Sequence, residues 1–224
     1  MLRFAEEIIL LLLDEDGRFS ATDHPTVDLA LAGGVLMDLA LESRIDTDVR
    51  KLILLDAEPT GDALLDPVLA DIAAAERTHD ARYWVDRVRR RADEIRDAAI
   101  ARLVEQGVLR RRAGQILRVF RPRQSPVVDD TANREVKQRI TALLFGDDIP
   151  GPRDVVIICL CDVCGLFRSL LTADELDRVY QRVEQIGKMD LIGQAVMALV
   201  ADVHQEADER LQFLITQGLA ARGL

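Results

Sequence analysis

Two stretches of this sequence, residues 4–13 and 155–171, are apolar almost all the way round. A segment without a polar face has to be enclosed by the rest of the chain. Residues 4–13 predict a buried helix or strand, and residues 155–171 predict a strongly apolar helix at the centre of the core. Aromatic side chains make up only 4% of the chain, so that core must be built from Leu, Ile, Val and Ala. Such a composition suits helices packed by aliphatic ridges. With 224 residues, 49% of them hydrophobic, the chain has enough material for a substantial core and is too apolar for a disordered segment. The expectation is a mainly α fold: a single globular helical domain over residues 1–224, around a central apolar helix, with short β-hairpins.

The other elements follow from period and punctuation. Val27, Leu31, Val35 and Leu39 recur at i+4 and predict a helix over 27–41. Gly33-Gly34 in its middle costs about 1 kcal/mol per glycine against Ala, which points to close backbone packing there. Ile45 and 52–55 read as strands joined by a polar turn. Thr60 is a candidate N-cap, with Asp62 in the first turn, and Pro67 requires the following helix to start near Asp66. Trp84, Val88, Ala92, Ile95, Ala99 and Leu103 form one stripe of a long helix that stops at Gly107. Then come Val108-Leu109, a turn over 110–115, a strand over 116–120, and a helix over 134–145. Residues 174–186 and 192–216 read as amphipathic helices. Residues 36–55 and 100–120 share one order of elements, helix, tight stop, strand, turn, strand, which is also how a winged helix ends.

Little here suggests catalysis or a cofactor. The chain has no Gly-rich phosphate loop, no G-x-S-x-G and no H-E-x-x-H. His24, His79 and His204 stand in separate segments, His79 being expected in solvent among Arg77, Asp80 and Arg82. Cys159, Cys161 and Cys164 sit in one apolar run and read as buried, reduced thiols rather than disulfides or zinc ligands. Catalytic residues, metal ligands and cofactors are accordingly expected to be none. No apolar run reaches the roughly 18 residues needed to span a bilayer, and Glu6, Glu7, Asp14, Glu15 and Asp16 give residues 8–13 the wrong flanks for a secretory signal. The expected location is cytoplasmic, with any membrane attachment peripheral.

Charge is segregated along the chain. Residues 82–139 hold 16 Lys and Arg against 8 Asp and Glu, whereas the chain as a whole carries −10. A basic block in an acidic protein concentrates positive potential where an anionic partner can sit, lipid headgroups or nucleic acid. Arg82, Arg89 and Arg96 are spaced by seven and line one side of the long helix, and Arg110, Arg111, Arg112, Arg118, Arg121 and Arg123 carry the charge on. The plainer alternative is a solvated face laced with i+4 pairs, Asp86 with Arg90 and Arg89 with Asp93. Scarce aromatics and an acidic total disfavour nucleic acid, leaving the winged-helix-like module as an alternative. A self-associating scaffold, acidic remainder against basic block, is another.

Several strings resemble one known family. Residues 4–12 (FAEEIILLL), the helix end over 33–45, the P-T-G-D-A-L-L-D string at 59–66, L-V-E-Q-G-V-L at 103–109 and C-G-L-F-R-S-L-L at 164–171 look like the Golgi phosphoprotein 3 family, in order from near Leu2 to about Ile186. The resemblance implies a mostly helical domain with small hairpins and a very apolar central helix. Eukaryotic members bind phosphatidylinositol 4-phosphate on a basic surface, associate with Golgi membranes and hold glycosyltransferases by their cytoplasmic tails; some self-associate through a hairpin. The richness in Ala, Arg, Asp and Leu looks like that of a GC-rich bacterium, where such members occur. The family's headgroup pocket uses a tryptophan and several arginines. Aligned on these strings, the tryptophan position falls near Asp23 or His24, two arginine positions fall on Ala32 and Asp93, and a third is kept as Arg96. The implied headgroup-binding set is therefore Arg96 with its neighbours Arg89, Arg90 and Arg91, and His24. The implied partners are an anionic phospholipid surface, cytoplasmic tails of membrane proteins, and a second copy of the chain.

Overall fold

The structure, a computed structural model, describes residues 2–12, 24–48, 50–112, 115–118, 131–146, 149–163, 165, 167, 171–187, 191, 194, 195 and 198. The fold is mainly α, with two short antiparallel hairpins. The first apolar stretch is a helix, α1 (Phe4–Leu12), and all nine of its residues are buried, Glu6 and Glu7 included. Its first amides are held from outside the helical ladder: Asp38 accepts from the Phe4 N–H at 2.9 Å, and Glu6 accepts from the Arg3 N–H at 2.6 Å. These bonds satisfy donors that every helix start leaves without an internal partner.

The next helix, α2 (His24–Leu41), is the hub of the molecule. It touches α1 and the helices introduced below as α3, α4, α5 and α7. In the second apolar stretch, residues 155–161 are all buried, as its lack of a polar face requires. At Gly34 a Cβ would stand 3.1 Å from the Phe4 Cβ, so without that atom α1 lies closer to α2, by a few tenths of an ångström, than a side chain there would comfortably allow.

The tight stop seen twice in the sequence is one motif used twice. At the end of α2 the Arg44 N–H donates to the Leu39 carbonyl and the Ser43 N–H to Ala40; after α5 (Ala92–Glu105) the Val108 N–H donates to Leu103 and the Gly107 N–H to Val104. Both are Schellman stops, which need a left-handed residue at the turn. Gly107 (φ 72°) supplies it in one and Ser43 (φ 56°) in the other. Each stop feeds a hairpin: β1 (Ile45–Thr47) with β2 (Leu52–Leu54), and β3 (Leu109–Arg112) with β4 (Gln115–Arg118). In the second hairpin Arg111 stands opposite Ile116 and Arg112 opposite Gln115, so Arg110, Arg111 and Arg112 belong to a strand and not to the turn expected there.

Between the hairpins lie α3 (Asp66–Ala73) and α4 (Ala81–Val88). As Pro67 requires, α3 starts at Asp66. Thr60 does not cap it. Instead, the Thr60 amide and hydroxyl, both at 2.7 Å, and the Gly61 amide donate to the Asp66 carboxylate, which folds the T-G-D turn back on the helix start. Those bonds hold the Asp66 carboxyl below its ordinary range. Asp62, expected in the first turn, precedes the helix and points inward.

The single long helix expected through residues 84–106 is broken. α4 ends at Val88, Arg89–Arg91 form one 3₁₀ turn, and α5 begins at Ala92. The apolar stripe survives, since Trp84, Val88, Ala92, Ile95, Ala99 and Leu103 are all buried. α6 (Thr131–Phe145) begins three residues earlier than its sequence signal. α7 (Pro152–Val163) ends well short of residue 171, with left-handed Gly165 just beyond it. Cys159 and Cys161 are buried and not cross-linked; Cys164 lies outside the described residues. α8 (Ala173–Gly187) buries Val179, Val183 and Ile186 on one face, as its amphipathic pattern requires. Of the helix expected over 192–216, residues 194, 195 and 198 are helical and the rest lie outside the described residues.

Candidate anion-binding face

A 3₁₀ turn has three residues per turn, so Arg89, Arg90 and Arg91 fan out at about 120° from one another. Arg89 swings back to Asp86, its Nε donating at 2.7 Å. Arg90 points into solvent, 74% exposed, with one contact of 3.2 Å to the same Asp86. Arg91 reaches across to α3, where it donates to Asp71 at 2.9 Å and to the Pro67 carbonyl at 3.1 Å, while its Nε meets Glu94 at 3.0 Å. Burial on its own would lower the Arg91 guanidinium; the bonds to Glu94 and Asp71 outweigh it and hold the group above its ordinary value.

Arg96, one turn into α5, is gripped from both sides. Its Nη2 donates to Asp28 of α2 at 2.8 Å and its Nη1 to Asp93 at 2.6 Å. Of the two pairs read from i+4 spacing, Asp86 with Arg90 is present, whereas Arg89 and Asp93 each take a different partner. The 3₁₀ turn is the reason, because it rotates Arg89 away from the start of α5. It also interrupts the sevenfold alignment of Arg82, Arg89 and Arg96.

The remaining positions of the implied headgroup pocket contribute unevenly. His24 is the first residue of α2. Ala32 has no exposed surface and belongs to the core, so no donor enters the face at that point. Asp93 is almost fully exposed and neutralises Arg96. The structure thus brings Arg89, Arg90, Arg91 and Arg96 onto neighbouring turns, each with a carboxylate already attached. The Arg90–Asp86 pair is exposed and worth about 1 kcal/mol or less, so an incoming phosphate can exchange for that carboxylate.

Another heavily charged cluster among the described residues lies elsewhere, and the sequence reading passed over it. Glu6 and Glu7 of α1, Asp38 of α2 and Asp62 before α3 are all buried. Arg102 donates to Glu6 at 3.0 Å and to Asp62 at 2.6 Å, and Gln106 adds a third donor to Glu6 at 3.1 Å. Arg3 meets Asp62 at 2.9 Å and also pairs with Glu42. Arg153 donates to Glu7 at 2.9 Å and lies over the Phe4 ring at 4.3 Å, while Arg139 bridges Glu7 and Asp154. Burial pushes the Asp38 carboxyl up to about 7, against the opposing pull of the Phe4 N–H and the Arg3 and Arg153 charges. One signal was available in the sequence: two glutamates inside a stretch with no polar face must bring their counter-charges with them.

These features describe a mainly helical protein, laced internally by arginine–carboxylate pairs, with a basic face at the junction of α4 and α5. Among the described residues no helix is long and apolar enough to cross a membrane. The model of the Golgi phosphoprotein 3 (GPP34) family matches residues 4–203, and the chain belongs to that family. A curated relative, vacuolar protein sorting-associated protein 74 of Eremothecium gossypii, is 23% identical over 257 aligned positions, which cover 97% of this chain and 76% of the relative.

Proposed function

We propose that this protein is a non-enzymatic peripheral membrane adaptor that meets anionic phospholipid headgroups, of the phosphatidylinositol-phosphate kind, through Arg89, Arg90, Arg91 and Arg96. Family membership over most of the chain carries this reading. The four arginines clustered around the start of α5 add the chemistry, because guanidinium groups match phosphate oxygens in pairs. The relative's name places it in protein sorting, and an adaptor in that role would hold membrane-protein tails while resting on the cytoplasmic face of the membrane. Because Arg96 is neutralised by Asp28 and Asp93, and Arg91 is held by Asp71 and Glu94, the available charge lies at Arg89 and Arg90, which share the single carboxylate of Asp86.

Sedimentation with phosphatidylcholine vesicles, with and without anionic lipid, tests this. Binding should require the anionic lipid and weaken steeply between low and high salt. Each basic residue near such a surface contributes about 1 kcal/mol, so Arg89→Glu/Arg90→Glu should lower the affinity by at least about 30-fold while leaving the fold intact. Undiminished binding by that variant, with a native circular dichroism spectrum, refutes the assignment of the face.

A further inference from the structure

Aromatic side chains are rare in this chain, yet its only tryptophan and one of its two tyrosines meet at a single place. His79, expected in solvent, is half-buried and stacked on Tyr83, with ring centroids 3.7 Å apart and planes 13° from parallel. Trp84 stands edge-on to both, 6.4 Å from His79 and 5.4 Å from Tyr83. The stack is pinned to the β1–β2 hairpin, because the His79 carbonyl accepts from the Leu52 N–H at 2.7 Å. These rings form the wall of a cleft of about 300 Å³ between α3 and α4. That volume is at the lower end of the range for small-ligand sites.

The charges around this cleft differ from those on the neighbouring face. Arg77 and Arg87 both line it, and among the described residues neither has a carboxylate partner. The Arg87 guanidinium lies 5.9 Å from the Trp84 ring centroid. Two carboxylates line the cleft as well. Asp71 is already engaged by Arg91 at 2.9 Å, which leaves Glu76 alone against two arginines. Arg89, Arg90, Arg91, Arg96 and Arg102, by contrast, are each held by acidic side chains. An anion entering this cleft therefore displaces no internal partner.

We infer that the cleft lined by Arg77, Arg87, His79 and Tyr83 is a binding site for a phosphate monoester. Two guanidinium groups opposed by the single carboxylate of Glu76 leave the cleft net positive, which favours a group carrying between one and a half and two negative charges at pH 7; a monoester does and a phosphodiester does not. The exposed edge of Tyr83 offers a flat surface to whatever carries the phosphate. A soluble phosphate ester and a monoester lipid headgroup share this chemistry, and the cleft is built from other residues than the arginine face proposed above.

The single tryptophan gives the readout. Trp84 fluorescence would be titrated with inorganic phosphate, with phenyl phosphate, and with phosphatidylcholine vesicles containing phosphatidic acid, each against sodium chloride of equal ionic strength. A saturable change is expected from at least one probe. Saturation by the soluble probes assigns a soluble ester, and saturation by vesicles alone assigns a lipid headgroup. Arg77→Gln/Arg87→Gln should weaken the response at least about tenfold, Glu76→Gln should strengthen it, and Arg50→Gln, outside both sites, should leave it unchanged. All four side chains are exposed, so the variants are expected to fold. No saturable response to any probe, or an undiminished response in the Arg77/Arg87 variant, overturns the site. Saturation by soluble ester in a protein that ignores anionic vesicles would reject the membrane reading and leave this one standing.

Discussion

Replacing Asp38 by Asn separates the two forces acting on the buried carboxylates. Asp38 is 2% exposed and accepts from the Phe4 N–H at 2.9 Å, a bond that an Asn carbonyl can keep. Arg3 and Arg153 stand 3.9 and 3.8 Å away, too far for hydrogen bonds, and burial prevails, raising the carboxyl from 3.8 to about 7. The sign of the linkage follows. Between those values the unfolded chain has released the proton and the folded chain keeps it, so stability supplied by this group is full below pH 3.8 and is lost as pH rises through 7. That rise in pKa corresponds to about 4 kcal/mol, of which roughly 2–3 kcal/mol falls between pH 5 and pH 8. For a chain of this size 1 kcal/mol moves the thermal midpoint by about 2–4 °C. The amide of the Asp38→Asn variant cannot ionise, so thermal melts of both proteins across about pH 5–8 should show the variant gaining about 5–10 °C on the parent as pH rises. A constant difference across the range would refute the reasoning and show Asp38 ionised throughout, held by Arg3 and Arg153.

Two further outcomes are expected from stability measurements. Arg102→Met removes the guanidinium that serves both Glu6 and Asp62, and stranding buried carboxylates costs about 3–5 kcal/mol; urea unfolding should show that loss, and Glu6→Gln added to it should recover part of it. Ser43→Gly relieves an exposed residue held at φ 56°, so it should raise the unfolding free energy by about 1 kcal/mol, with no gain in a Gly107→Ser control at the matching stop.

What could be read from the sequence was whatever depends on neighbours in the chain. Helix periods, the stops at residues 43 and 107, the start of α3 forced by Pro67 and the Asp86–Arg90 pair are all local, and the structure contains them. The break at Arg89–Arg91 escaped because the apolar stripe runs unbroken through it. The stripe records burial and is blind to a change from about 3.6 to 3.0 residues per turn. The end of α7 escaped for a similar reason, since the apolar run continues past Gly165 to the buried Phe167. The state of the basic face escaped because its decisive partners are remote. Arg91 is tied to Asp71 twenty residues away, and Arg96 to Asp28 sixty-eight residues away. Charge counting found the face without showing that most of its arginines already carry an acid.

The position of Glu6 and Glu7 also sets a timetable for the chain as it is made. α1 is entirely apolar apart from these two acids, and Arg153, which neutralises Glu7, lies 146 residues further on. At ribosomal rates of about 5–20 residues per second, that is a wait of roughly 7–30 s. Throughout the wait, nine residues that end with no solvent-facing side lack the part of their surroundings that α7 supplies, and Glu7 lacks Arg153. α1 is made well before α7, so its surroundings are completed late, and a newly made chain depends on whatever shields that side of α1 until α7 arrives.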